Sequence, residues 1–390
     1  MSNSWNIRRL GDICTSELGK TRDEKRNKGT FRPYLCAINV QWDRFELSEL
    51  KEMRFEEGEY DRYTIRKGDL VICEGGDIGR AAIWDNEQPI YYQNALHRVR
   101  FSENVKARFV LYYLRFLKQA GILDARYGKG VTIKHLVKSS LVSIPIPVPP
   151  IEEQQRIVDE LDLLSDIIDK KKAQLRDLDA LAQFIFYEMF GSVVEERGIP
   201  VSRMDEVFSL ITDGTHQTPT YTEDKEYGYK FLSAKDVVGG HIDWDGIKYI
   251  PATLHQELYK RLAPRRGDLL LCKNGTTGIA AVVETDEVFD IYVSLALLRP
   301  KEGYLPKYLL FAINNQETKR QFNASLKGVG VPNLHLSEIR KTLILTPPID
   351  LQHAFAAKIE AIEQQKALIK QSLQETQTLL SSRMDHYFGE

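Results

Sequence analysis

The 390-residue sequence contains no run of about 18 apolar residues, so no membrane-spanning helix is expected. Its start, MSNSWNIRRLGD, has no apolar core of a secretory signal, so a reduced, cytoplasmic protein is expected. The four cysteines, Cys14, Cys36, Cys73 and Cys272, form no CxxC pair, which argues against a zinc knuckle or a disulfide framework. Catalytic fingerprints are missing too. There is no GxxxxGK[ST] phosphate loop, no HExxH and no GxSxG. No strand runs into GxGxxG, so a dinucleotide or S-adenosylmethionine domain lacks its usual signature. The two Pro-Pro pairs, Val148-Pro149-Pro150-Ile151 and Thr346-Pro347-Pro348-Ile349, lack the polar first residue and aromatic last residue that grip a flipped adenine. No cofactor is therefore expected.

What is present is globular. The hydrophobic fraction of 43% and charged fraction of 28% suit a packed protein, and the length suits two or three domains. The chain repeats itself once, at a period near 198 residues. RKGDLVIC at 66–73 returns as RRGDLLLC at 265–272, followed by EGGDIGRAAI at 74–83 and KNGTTGIAAV at 273–282. GKGVTIKHL at 128–136 returns as GVGVPNLHL at 328–336, which gives His135 and His335 matching places. IPVPPIEEQ at 146–154 returns as ILTPPIDLQ at 344–352, and MFG at 189–191 as YFG at 387–389. The repeating unit is a whole domain with an appendage.

The first part of each unit, 1–148 and 192–346, mixes short apolar runs with turn signals. Val71, Ile72, Ile83, Val99 and Phe101 read as strand residues, as do Leu269 to Leu271 and Val282. The stretches 107–120 and 306–319 read as helices, giving an α+β module. The second part, 149–191 and 347–390, opens at a proline pair, and 152–190 and 350–388 contain no Gly or Pro. Steps of four and three from Ile157 reach Leu161, Leu164, Ile168, Lys171, Leu175, Leu178, Ala182, Ile185 and Met189. The second copy runs Phe355, Ile359, Ile362, Lys366, Ile369, Leu373, Thr376, Leu380, Arg383 and Tyr387. A 3.5-residue period predicts two long helices packed as a coiled coil. If they run antiparallel, Leu161, Leu164 and Ile168 face Ile369 and Leu373 or their neighbours.

Charge is uneven. Residues 152–190 hold ten acidic and five basic residues, whereas Gly19 to Arg32 hold six basic and two acidic. With no catalytic motif, the chain reads as a two-module binder on a stiff rod, with polar glycine loops as its recognition elements. Lys20, Arg22, Lys25 and Arg26 are candidates for phosphate contact. Gln93, Asn94, Asn274, Thr276 and Thr277 carry amides and hydroxyls able to read base edges. The loops add Glu74, Asp77, Arg80, Lys129, Thr132 and Lys134 in the first module. In the second they add Thr212, Thr215, His216, Thr218, Lys273, Ser294, Lys327 and Asn333.

This pattern resembles the specificity (S) subunits of type I restriction-modification systems. The resemblance rests on IPIPVPPIEEQQRIVDELD at 144–162, its partner LILTPPIDLQHAFAAKIE at 343–360, the repeated GD-strand-glycine-loop block and TDGTHQTPTY at 212–221. It covers the whole chain. In the second copy Asp350-Leu351-Gln352 stands where Glu152-Glu153-Gln154 stands in the first. The resemblance implies a non-catalytic subunit with two target-recognition modules, each reading one half of a bipartite double-stranded DNA site. It implies an antiparallel pair of helices that sets the unread gap. It further implies two modification subunits that methylate adenine, and restriction subunits that translocate and cleave DNA. Two rival readings are a coiled-coil scaffold with protein-binding modules and a single-chain modification enzyme.

Overall fold

The computed structural model describes residues 5–191, 198–326 and 332–389, which fall into two compact units. Unit 1 comprises residues 1–172 and 370–390, and unit 2 comprises 173–369. The two long helices, Ile151–Phe190 and Ile349–Phe388, each contribute one half to each unit. Among the described residues no helix is long and apolar enough to cross a membrane.

Unit 1 is built on an antiparallel sheet of four strands in the order Cys14–Leu18, Leu96–Phe101, Leu70–Cys73, Ala81–Ile83. Unit 2 repeats it as Phe208–Asp213, Leu295–Pro300, Leu269–Cys272, Ala280–Val282. The uninterrupted apolar runs LVIC and LLLC follow from burial on both faces. Leu70 and Ile72 point into the cluster that holds the helix Ala107–Gln119, while Val71 and Cys73 point into a second cluster with Trp84 and Tyr92. Leu269 and Leu271 against Leu270 and Cys272 divide in the same way. A second, mixed sheet follows in each unit. In unit 1 it pairs Tyr91 with Tyr34 in parallel, and in unit 2 Phe231 with Asp290.

The repeated Arg-x-Gly-Asp has a structural cause. Asp69 is buried, accepts the Arg66 amide at 2.8 Å and takes both nitrogens of the Arg100 fork at 2.7 Å. Asp268 does the same with the Arg265 amide at 3.0 Å and Arg299 at 2.8 and 2.7 Å. Each aspartate therefore fixes its turn to the neighbouring strand through a bidentate ion pair. The predicted strand residues all lie in strands, and 107–120 is the helix Ala107–Gln119. The expected single helix at 306–319 is instead two, Pro306–Asn314 and Gln316–Ala324. Asn315 breaks it, because its side chain caps the second helix by accepting the Thr318 amide at 2.9 Å.

The helices run antiparallel within each unit. In unit 1 Glu160 binds Arg383, and Lys171 donates to the Ser372 carbonyl at 2.9 Å, the Ser372 hydroxyl at 2.7 Å and Thr376 at 2.6 Å. In unit 2 Lys366 pairs with Asp179 at 2.8 Å. Both seam lysines thus find oxygen partners, the way polar seam residues select one register. That register differs from the expected one. Leu161, Leu164 and Ile168 share a core with the expected Leu373, but also with Leu380, Met384, Tyr387 and Phe388, whereas Ile369 belongs to the other unit. The seam also shifts phase near its end. Phe186 and Phe190 are buried where Ile185 and Met189 were expected, because they pack on Tyr308 and Phe355 of the unit 2 core.

The glutamine of the Pro-Pro-x-x-x-Gln motif anchors each helix to its module. Gln154 is 0% exposed; it accepts the Lys106 amide at 2.9 Å and donates to Asn104 at 3.0 Å and Pro149 at 2.9 Å. Gln352 repeats this, accepting from Leu305 at 3.0 Å and donating to Gly303 at 3.4 Å and Pro347 at 2.9 Å. The loss of the two glutamates in the second copy leaves this clamp intact. Gln154→Ala strands a buried amide and two carbonyls and is expected to cost about 1–3 kcal/mol. Gln352→Ala is expected to cost the same. Thermal unfolding of the two variants tests this, and an unchanged Tm in both contradicts the clamp.

Candidate nucleic-acid interface

In unit 1 the candidate residues form two groups of loops at strand ends. The first joins 19–28 to 93–95. Gly19 lies so close to Gln93 that a Cβ would meet its carbonyl oxygen at 2.3 Å, so only glycine fits. Gly214 holds the equivalent place in unit 2, with Ile291 oxygen at 2.0 Å. The loops GKTRDEKRNK and TDGTHQTPTY therefore diverge from one shared anchor. Arg22, Lys25 and Arg26 are exposed, and Asp23 shapes their turn by accepting the Lys25 and Arg26 amides at 3.0 and 3.1 Å. Asn94 spends its amide inside the loop, on Thr21 at 3.2 Å and on the Ala95 N–H at 2.6 Å. Gln93 beside it is half-buried. Ala95 holds a φ of +93°, a strained value for a residue with a Cβ.

Lys20 departs from the expectation of an exposed phosphate ligand. It is 7% exposed, ion-pairs with Glu59 at 2.5 Å and lies over the Phe55 ring. Lys273 likewise turns inward, 6% exposed and paired with buried Asp213. Both lie just after a core strand, Lys20 behind Cys14–Leu18 and Lys273 behind Leu269–Cys272, within reach of a scaffold carboxylate.

The second group joins the glycine loop 74–80 to 128–136. Leu136 donates its amide to the Glu74 carbonyl at 2.7 Å and accepts from His97 at 2.8 Å. Burial holds His97 below its ordinary range, so the ring is neutral and donates. Burial raises the Glu74 carboxyl, against the opposing pull of His135. Asp77 binds Lys118 at 2.8 Å, and Arg80 donates to the Ala37 carbonyl at 2.9 Å, so both face their own scaffold. Lys129 and Thr132 are exposed and Lys134 half-buried.

In unit 2 Leu334 donates to the Lys273 carbonyl at 2.9 Å, as Leu136 does to Glu74. This corrects the sequence match by two residues. Leu136 corresponds to Leu334, and His135 to Asn333 rather than to His335. Asn333 faces Asn274 across an isolated bridge, and each keeps a buried side-chain oxygen without a hydrogen bond. Ser294 accepts the Ala234 amide at 2.9 Å, and Thr215 the Gln217 amide at 3.2 Å, so both hydroxyls shape their loops. Thr212 and Thr277 are half-buried; Thr218, Thr276 and His216 are exposed, the last 3.4 Å from Asp213. Lys327 lies outside the described residues. Sequence reasoning missed two exposed ring–cation pairs, Arg54 over Phe31 at 4.5 Å and Lys248 over Tyr221 at 4.1 Å. For the first pair the alternation of Phe31 with Arg32 in TFRPYL was the available signal.

Two alike scaffolds with unlike loops define a duplicated recognition protein. Residues 2–178 and 197–378 both match the family described as type I restriction modification DNA specificity domain, and the chain belongs to that family. It is 22% identical over 327 residues to the EcoBI specificity subunit of Escherichia coli, spanning 77% of this chain and 68% of that one. It is 22% identical over 389 residues to the MjaIX specificity subunit of Methanocaldococcus jannaschii, 92% of this chain and 86% of that one. A chain from a type I R-M system complex aligns with a TM-score of 0.60 at 20% identity, covering 98% and 97%. The S subunit of a type I system from M. genitalium aligns at 0.52 with 12% identity, covering 98% and 96%.

The two classes of lysine separate experimentally. Lys20→Ala leaves Glu59 only the Glu56 amide as a partner and is expected to lower stability by about 1–3 kcal/mol. Lys25→Ala removes an exposed charge and is expected to leave stability within about 0.5 kcal/mol. If Lys25 holds a phosphate, its loss shrinks the salt slope of DNA binding by about one unit. The reverse pattern in melting and salt titrations counts against this division.

Proposed function

We propose that this chain is the DNA specificity subunit of a type I restriction-modification complex, in which unit 1 reads one half of a bipartite site and unit 2 the other. The single observation that carries the reading is the duplication of one scaffold under two different sets of loops. A rigid sheet covered on both faces holds the loops, so their sequences can vary without disturbing the core. In this reading exposed cations such as Lys25 and Arg26 position the protein on phosphates, while amides and hydroxyls such as Asn274 and Thr276 discriminate bases. Asn274 and Asn333 pair at the base of these loops, half-buried, each with a buried side-chain oxygen that makes no hydrogen bond.

The chemistry then belongs to partner subunits. Modification subunits dock on this chain and carry out adenine methylation, and restriction subunits join where present. The paired helices set the distance between the half-sites. The reading as a protein-binding scaffold has no observation that favours it.

Methylome sequencing of cells that express the chain with its modification subunit tests the reading, and the expected result is one bipartite asymmetric motif. The absence of any motif in a folded, assembled complex contradicts it. Asn274→Ala and Thr276→Ala are each expected to relax discrimination by about 1–3 kcal/mol in one half-site only. Equal relaxation in both halves sinks the division of labour. Seven residues inserted into both helices near Leu175 and Ile369 keep the heptad register and add about 10 Å, or about three base pairs. The motif is expected to keep its half-sites and lengthen its gap, and an active variant with an unchanged gap rules the helices out as spacers.

A further inference from the structure

The loop at 129–135 presents apolar side chains to solvent at the tip of a closed, cationic finger. Its base is fixed. Lys129 and His135 exchange two backbone hydrogen bonds of 2.8 and 2.7 Å, and Leu136, fully buried, is held on both sides by Glu74 and His97. Between those anchors Val131 is 99% exposed and Ile133 64% exposed. A loop with anchors this close has no freedom to fold its tip back onto the core. Two β-branched side chains thus stand exposed together on one fixed tip.

The surrounding charge identifies the partner. Residues 125–151 contain Arg126, Lys129, Lys134 and Lys138 and no acidic residue. Lys138 lies 3.6 Å from Glu17, and among the described residues Arg126, Lys129 and Lys134 have no ion-pair partner. An apolar tip flanked by free cations matches a nucleic acid, where apolar base faces lie between rows of phosphates. The corrected correspondence adds a second observation. Stepping back from Leu136 and Leu334 aligns Lys129-Gly130-Val131-Thr132-Ile133 with Lys327-Gly328-Val329-Gly330-Val331 in the sequence. The other loops diverge, whereas this one keeps a lysine, a glycine and two alternating β-branched residues. A feature common to two modules that read different half-sites contacts what those half-sites share, the stacked base column and its backbone.

We propose that residues 129–134 act as a wedge in the DNA half-site read by unit 1, with Val131 and Ile133 inserted against the bases and Lys129 and Lys134 on the flanking phosphates. This rests on the DNA-specificity reading above. The wedge opens the stack without reading sequence, and it favours the distorted duplex that a base-modifying partner needs.

The test uses the full chain assembled with its modification subunit and duplexes carrying 2-aminopurine in the unit 1 half-site. Val131→Ser with Ile133→Ser is expected to weaken binding about 10- to 100-fold on cognate and non-cognate duplexes alike. It is expected to abolish the fluorescence rise that reports unstacking and to leave the salt slope unchanged. Lys129→Ala with Lys134→Ala is expected to shrink that slope by about two units. Val131→Ile with Ile133→Val retains apolar bulk and is expected to restore both affinity and signal, which excludes misfolding as the cause. Unchanged affinity and fluorescence in the serine variant overturn the wedge. Failure of that variant to assemble with the modification subunit also overturns it and assigns the tip to a protein partner. If the wild-type assembly binds no duplex at all, the DNA-specificity reading fails instead.

Discussion

The buried amides of Gln154 and Gln352 are the points on which each unit's geometry depends. A helix entered through a proline pair has no amide donors at the prolines themselves, so its direction is poorly fixed by backbone bonds. Gln154 supplies the missing constraint by binding the backbone on both sides of the junction, at Lys106, Asn104 and Pro149. The helix axis is thereby set relative to the sheet, and Ile157, Leu161 and Leu164 fall onto the core formed by the helix Ala107–Gln119. The tie continues along the helix, where Arg108 and Tyr112 reach Asp162 at 2.6 Å.

The sheet solves a different problem. Its central strands are buried on both faces, so neither face of that sheet is open to solvent, and the segments that differ between the units are the loops at its strand ends. The aspartates Asp69 and Asp268 keep those ends in place from within. Loop sequence and core stability are thus separated: Arg22 to Lys28 can change while Gly19, Asp69 and Leu136 remain.

Much of this was legible in the sequence, because the fold is written twice. Periodicity showed both long helices, and the continuous apolar runs showed the central strands. The register of the helix pair was not legible, since a heptad pattern admits several antiparallel offsets and the choice falls to particular contacts such as Lys171 with Thr376. The Asn315 break was missed because no Gly or Pro between 314 and 319 marks it. Among the candidate site residues, charge alone could not separate Lys25 from Lys20. Which lysine turns inward depends on a carboxylate distant in sequence, Glu59 for one and Asp213 for Lys273. The phase of the GKGVTIKHL repeat was misjudged because two glycines and a histidine coincide at the wrong offset. Only the backbone bonds of Leu136 and Leu334 decide it.

Unit 1 is discontinuous in the chain, and this orders its assembly in time. During synthesis the sheet of unit 1 emerges early, yet its core also requires Leu380, Met384 and Phe388. Phe388 packs edge-on against Phe109 and Tyr113, with ring centroids 5.4 Å apart in each pair. All of unit 2, residues 173–369, is translated before those partners exist. Unit 2 therefore depends on no residue beyond 369, whereas unit 1 waits for the last helix with the seam face of Ile151–Phe190 uncovered. A ribosome that stalls before residue 380 releases a chain whose unit 2 is complete and whose unit 1 exposes Leu161, Leu164 and Ile168, the kind of surface by which quality-control machinery recognises an unfinished protein.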